Sequence, residues 1–392
     1  MTHDNQSQVK PPGYFIVEEL DARGWTQTDL SYITEISPQQ LNPILKGKGG
    51  ISADMAVILG DAFDMPPDFF INLETQFQLS KAKQAPPGVK KRALWQSVFP
   101  VREMLKRGWI EESDPFLLDA QMLRFFEKSR IEDVPYMGST NLEVSFAAKK
   151  ANQNELRAEE LAWLYRVRQI AKTIDAPVFS PEVMTDCIEK LKSLLASRED
   201  VAYVPSILNS YGIRFVMVET LPKAKFDGVC TWIDGQPVIG ITNKYDRLDN
   251  FWFVLRHELE HVIKGHGRDK GYAAIDYLEG ENRNIDETIE IEERIANAAA
   301  SEFCLPKDQL QSFIARKSPF FSEKDIVGFA NRLEIHPAIA VGQLQFSLQK
   351  WNLFRKYLAV SVAGIRDILI AELQKKNINA VDGWGYQSKT QL

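Results

Sequence analysis

The spacing of apolar residues changes character along the chain. Over residues 13–80 it is helical and comes in short runs: GYFIVEELDARG, QTDLSYI, PQQLNPIL, ISADMAVILGDAF and PDFFINLETQFQLSKA. These runs predict five helices. Gly24 ends the first, Thr26 caps the second, Ser37-Pro38 opens the third, KGKGG stops it, and Ser52 caps the fourth. AKQAPPGVKK then breaks the period with paired prolines and a glycine and is the expected linker. From about 90 to 200 the pattern is helical again, in VREMLKRGW, PFLLDAQMLRFFEKSR, NELRAEELAWLYRVRQIAKTI and SPEVMTDCIEKLKSLLASRE. The period next shortens to two. IRFVMVE, GVCTWID and QPVIGITN alternate and are rich in β-branched and aromatic residues, which predicts a small sheet. Helices resume at DNFWFVLRHELEHVIKGH and DETIEIEERIANAAASEF. After these come FSEKDIVGFANRLE, a long run VGQLQFSLQKWNLFRKYL, and VAGIRDILIAELQKK. The expected fold is α+β and mostly α: a five-helix head over 1–85, a helical middle region over 86–198, a domain with the sheet over 199–345, and a helical extension over 346–392.

Composition narrows the class without choosing a function. The chain has 392 residues, 44% hydrophobic and 26% charged, enough for two or three domains. Its formal charge of −6 offers no global basic excess for nucleic acid. Cys187, Cys230 and Cys304 are far apart and odd in number, so they form neither a disulfide framework nor a metal knuckle, which fits a reducing cytoplasm. MTHDNQSQVKPPG has no signal-peptide core, and FWFVL is far short of a membrane span. A cytoplasmic protein with no membrane partner is expected.

Chemistry concentrates in LRHELEHVIKGH, which holds three of the five histidines. HELEH is H-E-x-x-H. On a helix His257 and His261 lie one turn apart on one face and can grip a single divalent ion. Glu258 is rotated about 100° from His257, so it is placed as a general base rather than a ligand. Such a site needs a third protein ligand and an open position. The best source is the next helix, EIEERIANAAASEF, whose Ala296, Ala298, Ala299 and Ala300 permit close approach. Glu293 shares a face with Asn297 and Ala300; Glu292 is one position away, and periodicity alone does not separate the two. His266 reads as an outer or surface histidine, and His336 as packing or surface. Tyr272, Tyr277 and His266 stand unranked as donors to a developing oxyanion.

A second constellation lies in the head. Two short helices joined by TEIS, the second opening Ser37-Pro38-Gln39-Gln40, have the order of a helix-turn-helix. Gln39, Gln40 and Asn42 are the candidate readers of adenine edges, and Lys46 and Lys48 the candidate phosphate contacts. Pro43 falls inside the reading helix and is expected to shorten or kink it. Residues 1–85 carry six Lys/Arg against eleven Asp/Glu, whereas residues 86–107 carry six against one. That basic strip can reach phosphate or can be a solvated helix face.

The head, from PPGYFIVEEL through FQLSKA, closely resembles the XRE family and, within it, HigA-type antitoxin repressors. The resemblance implies a homodimer bound to operator DNA, usually at its own promoter, and often a toxin partner. Residues 200–345 resemble the ImmA/IrrE family of zinc metallopeptidases in DNFWFVLRHELEH, in IEERIANAAASEFCLP and, more weakly, in IHPAIAVGQLQ. That likeness implies a zincin-like fold, one Zn2+ per chain, and cleavage of a regulatory protein. In the family a glutamate stands four residues before an asparagine, with a proline nine after it. Glu293, Asn297 and Pro306 match, so the third ligand carries over to Glu293. The chain departs from the family at Glu260, where glycine is usual, and at Ile295, where glutamate is frequent. The reading is a DNA-binding regulator carrying a zinc endopeptidase; the alternative is an antitoxin-type repressor whose peptidase-like domain only binds a toxin, a metal or a small ligand.

Overall fold

The computed structural model describes residues 9–111, 114, 116–137, 156–224, 226–242, 244–268, 274–277, 287–358, 364–375 and 381–382. The chain is α+β and mostly α, and it divides into two units, residues 1–86 and 87–392.

In the first unit, local signals fix the helix starts. The described helices are α1 (Pro12–Arg23), α2 (Gln27–Thr34), α3 (Pro38–Leu45), α4 (Ala53–Phe63) and α5 (Pro67–Lys81). Thr26 closes a capping box: Asp29 N–H donates to its hydroxyl at 3.2 Å, and Thr26 N–H donates to the Asp29 carboxylate at 2.7 Å. Ser52 accepts from Met55 N–H at 3.2 Å. Ser37 differs from expectation, because its hydroxyl makes no bond to the backbone and donates instead to Gln40 Oε1 at 3.1 Å. Pro43 does not break α3. It sits in the last turn, and its carbonyl accepts from Lys48 and Gly49 N–H at 2.8 Å, closing the helix into the following loop. Ile16, Leu20, Leu30, Leu41, Ile44, Leu59, Phe63 and Phe70 form the core between the helices.

The second unit is built on a sheet with strand order β4-β2-β3-β1-β5, from β1 (Arg214–Val218), β2 (Phe226–Ile233), β3 (Gln236–Ile241), β4 (Ala274–Tyr277) and β5 (Val381–Asp382). β2 runs antiparallel to β3 and β4, and β1 runs parallel to β3 and β5. Helices cover both faces. Its described helices are α6 (Val89–Val98), α7 (Val101–Lys106), α8 (Leu118–Phe125), α9 (Ala158–Lys172), α10 (Met184–Lys192), α11 (Val204–Ser210), α12 (Leu248–Lys264), α13 (Glu287–Cys304), α14 (Lys307–Lys317), α15 (Glu323–Arg332), α16 (Pro337–Leu348) and α17 (Ile365–Lys375).

One sheet face meets α6 to α9. Val216, Val218, Val229 and Val238 share a core there with Trp95, Phe126, Trp163 and Val167. Trp163 packs edge-on to Phe226, and its indole N–H donates to Val218 O at 3.0 Å, so a large apolar ring is buried with its polar atom satisfied. The other face meets α12. Phe215, Met217, Cys230, Ile239 and Ile241 pack there with Phe251, Trp252, Leu255 and Leu259, and α15, α16 and α17 complete the cover. Burying each such side chain contributes roughly 1.5–3 kcal/mol.

The described helices α6 to α9, which fall in the region read as a helical middle region, pack on one face of the sheet. Within the long run from Val341 to Leu358, α16 ends at Leu348, Gln349 turns at φ 53°, and a short 3-10 turn follows at Arg355–Tyr357. No helix among the described residues is long and apolar enough to cross a membrane.

Candidate metal centre

α12 is amphipathic, yet a run of its polar residues, Arg256, His257, Glu258, Glu260 and His261, is buried too. His257 and Glu258 are 0% exposed and His261 is 1% exposed, inside a helix flanked by Phe251, Trp252, Val254, Leu255 and Leu259. Polar groups so withdrawn from water need partners. α13 provides them. Ala296 and Ala300 are fully buried, and their small side chains let the two helices approach closely. Across that contact His257 Nε2 lies 3.1 Å from Glu293 Oε2, and His261 Nε2 lies 3.5 Å from Glu293 Oε1. The two Nε2 atoms are 3.0 Å apart. Donors about 2.1 Å from one tetrahedral ion stand about 3.4 Å from each other, so these spacings of 3.0 to 3.5 Å suit a zinc-sized cation.

The outer hydrogen bonds decide which lone pairs point inward. His257 Nδ1 is 3.2 Å from Asn297 Oδ1. An amide oxygen only accepts, so Nδ1 carries the proton and Nε2 turns a lone pair toward the cluster. Burial, reinforced by His257 and His266 nearby, pushes the His261 imidazole down to about 3, so that ring is neutral. Its Nδ1 lies 2.8 Å from His266 Nδ1. With His261 Nδ1–H donating there, its Nε2 also points a lone pair inward. Two imidazole lone pairs and a carboxylate thus converge, and a divalent cation satisfies all three. The residues fit the metal that the sequence implied.

Glu292 and Glu293 are separated by the geometry. Glu293 stands against His257 and His261, whereas Glu292 Oε2 is 3.7 Å from His266 Nδ1. His261, His266 and Glu292 form a second group with converging atoms that shares His261 with the first. Glu258 turns away from the ligand set toward β2, where burial first and then the Glu258 charge raise the Cys230 thiol well above its ordinary value. Glu260, the departure from the family pattern, is neutralised on the helix itself by Arg256 Nη2 at 2.8 Å.

The other expected residues lie elsewhere. His336 caps α16, accepting from Ala338 N–H at 3.1 Å. Tyr272 lies outside the described residues, and Tyr277 is the last residue of β4. In the first unit Gln39, Gln40, Lys46 and Lys48 are exposed and Asn42 is half-buried. Gln39, Gln40 and Asn42 ride on α3, while Lys46 and Lys48 follow its end. The basic strip is partly consumed within the second unit: Arg107 donates to Glu219 O at 2.7 Å and Thr220 O at 2.8 Å, and Lys91 pairs with Asp119.

Three contributors escape sequence reasoning. Asn297 appears there as a pattern match but not as the partner of His257. Trp232, whose indole N–H donates to His266 O at 2.8 Å, carries no recognisable signal. Gly228, which lies against Glu258, is visible only as a glycine in an alternating strand.

Comparison with known proteins agrees with this geometry. Residues 209–332, which contain the whole cluster, match the IrrE N-terminal-like domain, the peptidase M78 family. The chain is also 35% identical over 86 residues to Virulence-associated protein A' of Dichelobacter nodosus, a stretch that is 22% of this chain and 74% of that protein. The chain is therefore a member of the family of that virulence-associated protein, and it carries a peptidase M78 domain over residues 209–332.

Proposed function

We propose that this protein is a DNA-binding regulator whose second unit is a zinc-dependent endopeptidase acting on a regulatory protein. The observation that carries the reading is the buried Glu258 beside His257, His261 and Glu293, whose ligand atoms all lie within 4.8 Å of one another. Two histidines and a carboxylate leave room for solvent at a fourth position and suit zinc best; iron, manganese and cobalt accept the same donors. A bound divalent cation supplies Lewis-acid activation of water and of a peptide carbonyl. Glu258 takes the proton from the attacking water and returns it to the amine nitrogen as the C–N bond breaks. Asn297 and His266 hold the two imidazoles in the tautomers that ligation needs. Glu293, 22% exposed, marks the side open to solvent and substrate.

The regulator half of the reading is supported by the exposed glutamines at the start of α3 and by Lys46 and Lys48 beyond its end. Glutamine there pairs with adenine in a major groove, and lysine holds phosphate. The partners proposed are operator DNA at its own promoter, a second copy of the chain, and a substrate or toxin encoded nearby.

The test is a matched pair of variants assayed with the products of neighbouring genes. Glu258→Gln should keep both zinc and operator binding and lose cleavage; His257→Ala should lose zinc. A Glu258→Gln protein that behaves like wild type in every assay removes the enzyme and leaves the binding-only repressor.

A further inference from the structure

We propose that Gly228 on β2 is a positioning residue for Glu258, holding the general base clear of the metal ligands; this rests on the peptidase reading above. β2 is buried along its whole length and runs beside α12. A Cβ placed at residue 228 overlaps Glu258 Oε1 and falls 2.8 Å from Val254 Cγ1 and 2.9 Å from Glu258 Cγ. Real Cβ atoms essentially never show contacts below 3.0 Å. The Glu258 side chain therefore lies in the space that any other residue at 228 fills with its own atoms. Val254 and Glu258 are one helical turn apart, so both sit on the ridge that faces the strand.

The strand is shaped to bring the glycine there. Between Phe226 and Gly228 the register against β4 shifts by a bulge. Phe226 consequently packs with Trp163 on one face of the sheet, while Gly228, only two residues on, looks at α12 on the other. In an unbroken strand those two residues share a face. Bulges re-aim residues in this way beside active sites.

The same geometry gives Gly228 a chemical consequence. Glu258 is attached next to a ligand and is long enough to swing into the ligand set. Resting on bare backbone, its carboxylate stays on the strand side, where it can handle a proton without occupying the open position. A methyl group at 228 evicts that carboxylate, and the three atoms nearest to it belong to Glu258 and Val254 rather than to His257, His261 or Glu293.

The experiment compares zinc-loaded wild type with Gly228→Ala. The expected result is a Glu258 carboxylate displaced by about 1 Å or more in the variant's crystal structure. Zinc affinity should stay within about threefold, and kcat should fall about 100-fold at nearly constant KM, since a 1 Å misplacement costs about that much. A carboxylate that stays in place, with kcat within about threefold of wild type, overturns the proposal. Should Gly228→Ala not fold, Gly228→Ala/Val254→Ala against Val254→Ala alone makes the same comparison with the crowded methyl removed. If wild type cleaves nothing, the peptidase reading fails alone, because the displacement of Glu258 in the crystal still decides the positioning role.

Discussion

Gln39, Gln40, Lys46 and Lys48 stand in solvent on a small helical unit, whereas His257, Glu258 and His261 are withdrawn from it inside α12. The two regions constrain function unequally. A buried polar group has to be satisfied by something, so the ring nitrogens of His257 and His261 each lie beside a named partner, and with Glu293 they form a group that could hold a cation. An exposed glutamine is satisfied by water whether or not DNA is present. Its meaning lies in a partner surface, and geometry alone ranks it lower. Removing one member of the buried set should therefore abolish a property, while removing one exposed reader should cost an increment.

The largest expected effect is from His257→Ala. Elemental analysis should show zinc falling from about one per chain to near none, and added zinc should no longer raise Tm as it does when an ion binds only the folded state. Full zinc occupancy in that variant breaks the contrast between the regions. Next comes Glu258→Gln, where cleavage should drop by about 10²–10⁴-fold with zinc retained. Asn297→Ala acts through His257 and should weaken zinc about 10–100-fold in a chelator competition, with Asn297→Asp close to wild type because it also accepts from Nδ1–H. Equal behaviour of the two Asn297 variants removes the tautomer argument. In the other region, Gln39→Ala or Gln40→Ala should cost about 1–3 kcal/mol of operator affinity and relax one base position, measured over a set of altered operators. Unchanged preference reassigns the readers.

The smallest effect expected is a pH dependence at His336. Burial is the main cause that holds its imidazole below the ordinary 6.5, with Arg198 acting the same way and Glu199 acting oppositely. As pH falls below 6.5 the unfolded chain takes up the proton first, so stability present above that value is lost on the acid side. Melting curves of wild type and His336→Asn, which can still cap α16 but does not titrate, should differ in slope as pH falls through and below 6.5 and converge at acid pH. Parallel slopes deny His336 that share.

The parts legible in the sequence are those with a short-range period. His257 and His261 are readable because a spacing of four on a helix has one geometric meaning, and Thr26 and Ser52 because caps are local. Glu293 needed the family pattern, since periodicity left Glu292 open. What stayed hidden depends on pairs remote in sequence. Nothing near Asn297 says that it meets His257. The helices of residues 89–172 look like a connector because their apolar faces do not name the strands they cover. β5 is two residues long, too short for alternation to register. The end of α16 at Leu348 carries neither glycine nor proline as a warning.

The turn that ends α12 also sets the surroundings of His261. Gly265 adopts φ 68°, which reverses the chain, and His266 N–H then bonds to His261 O at 3.0 Å. Helix termination and the docking of His266 on His261 are thus a single event. A residue at 265 that favours continued winding carries His266 onward and strands His261 without its outer partner. Tuning of this candidate metal site is accordingly written in part into backbone handedness, one residue beyond the last helical turn.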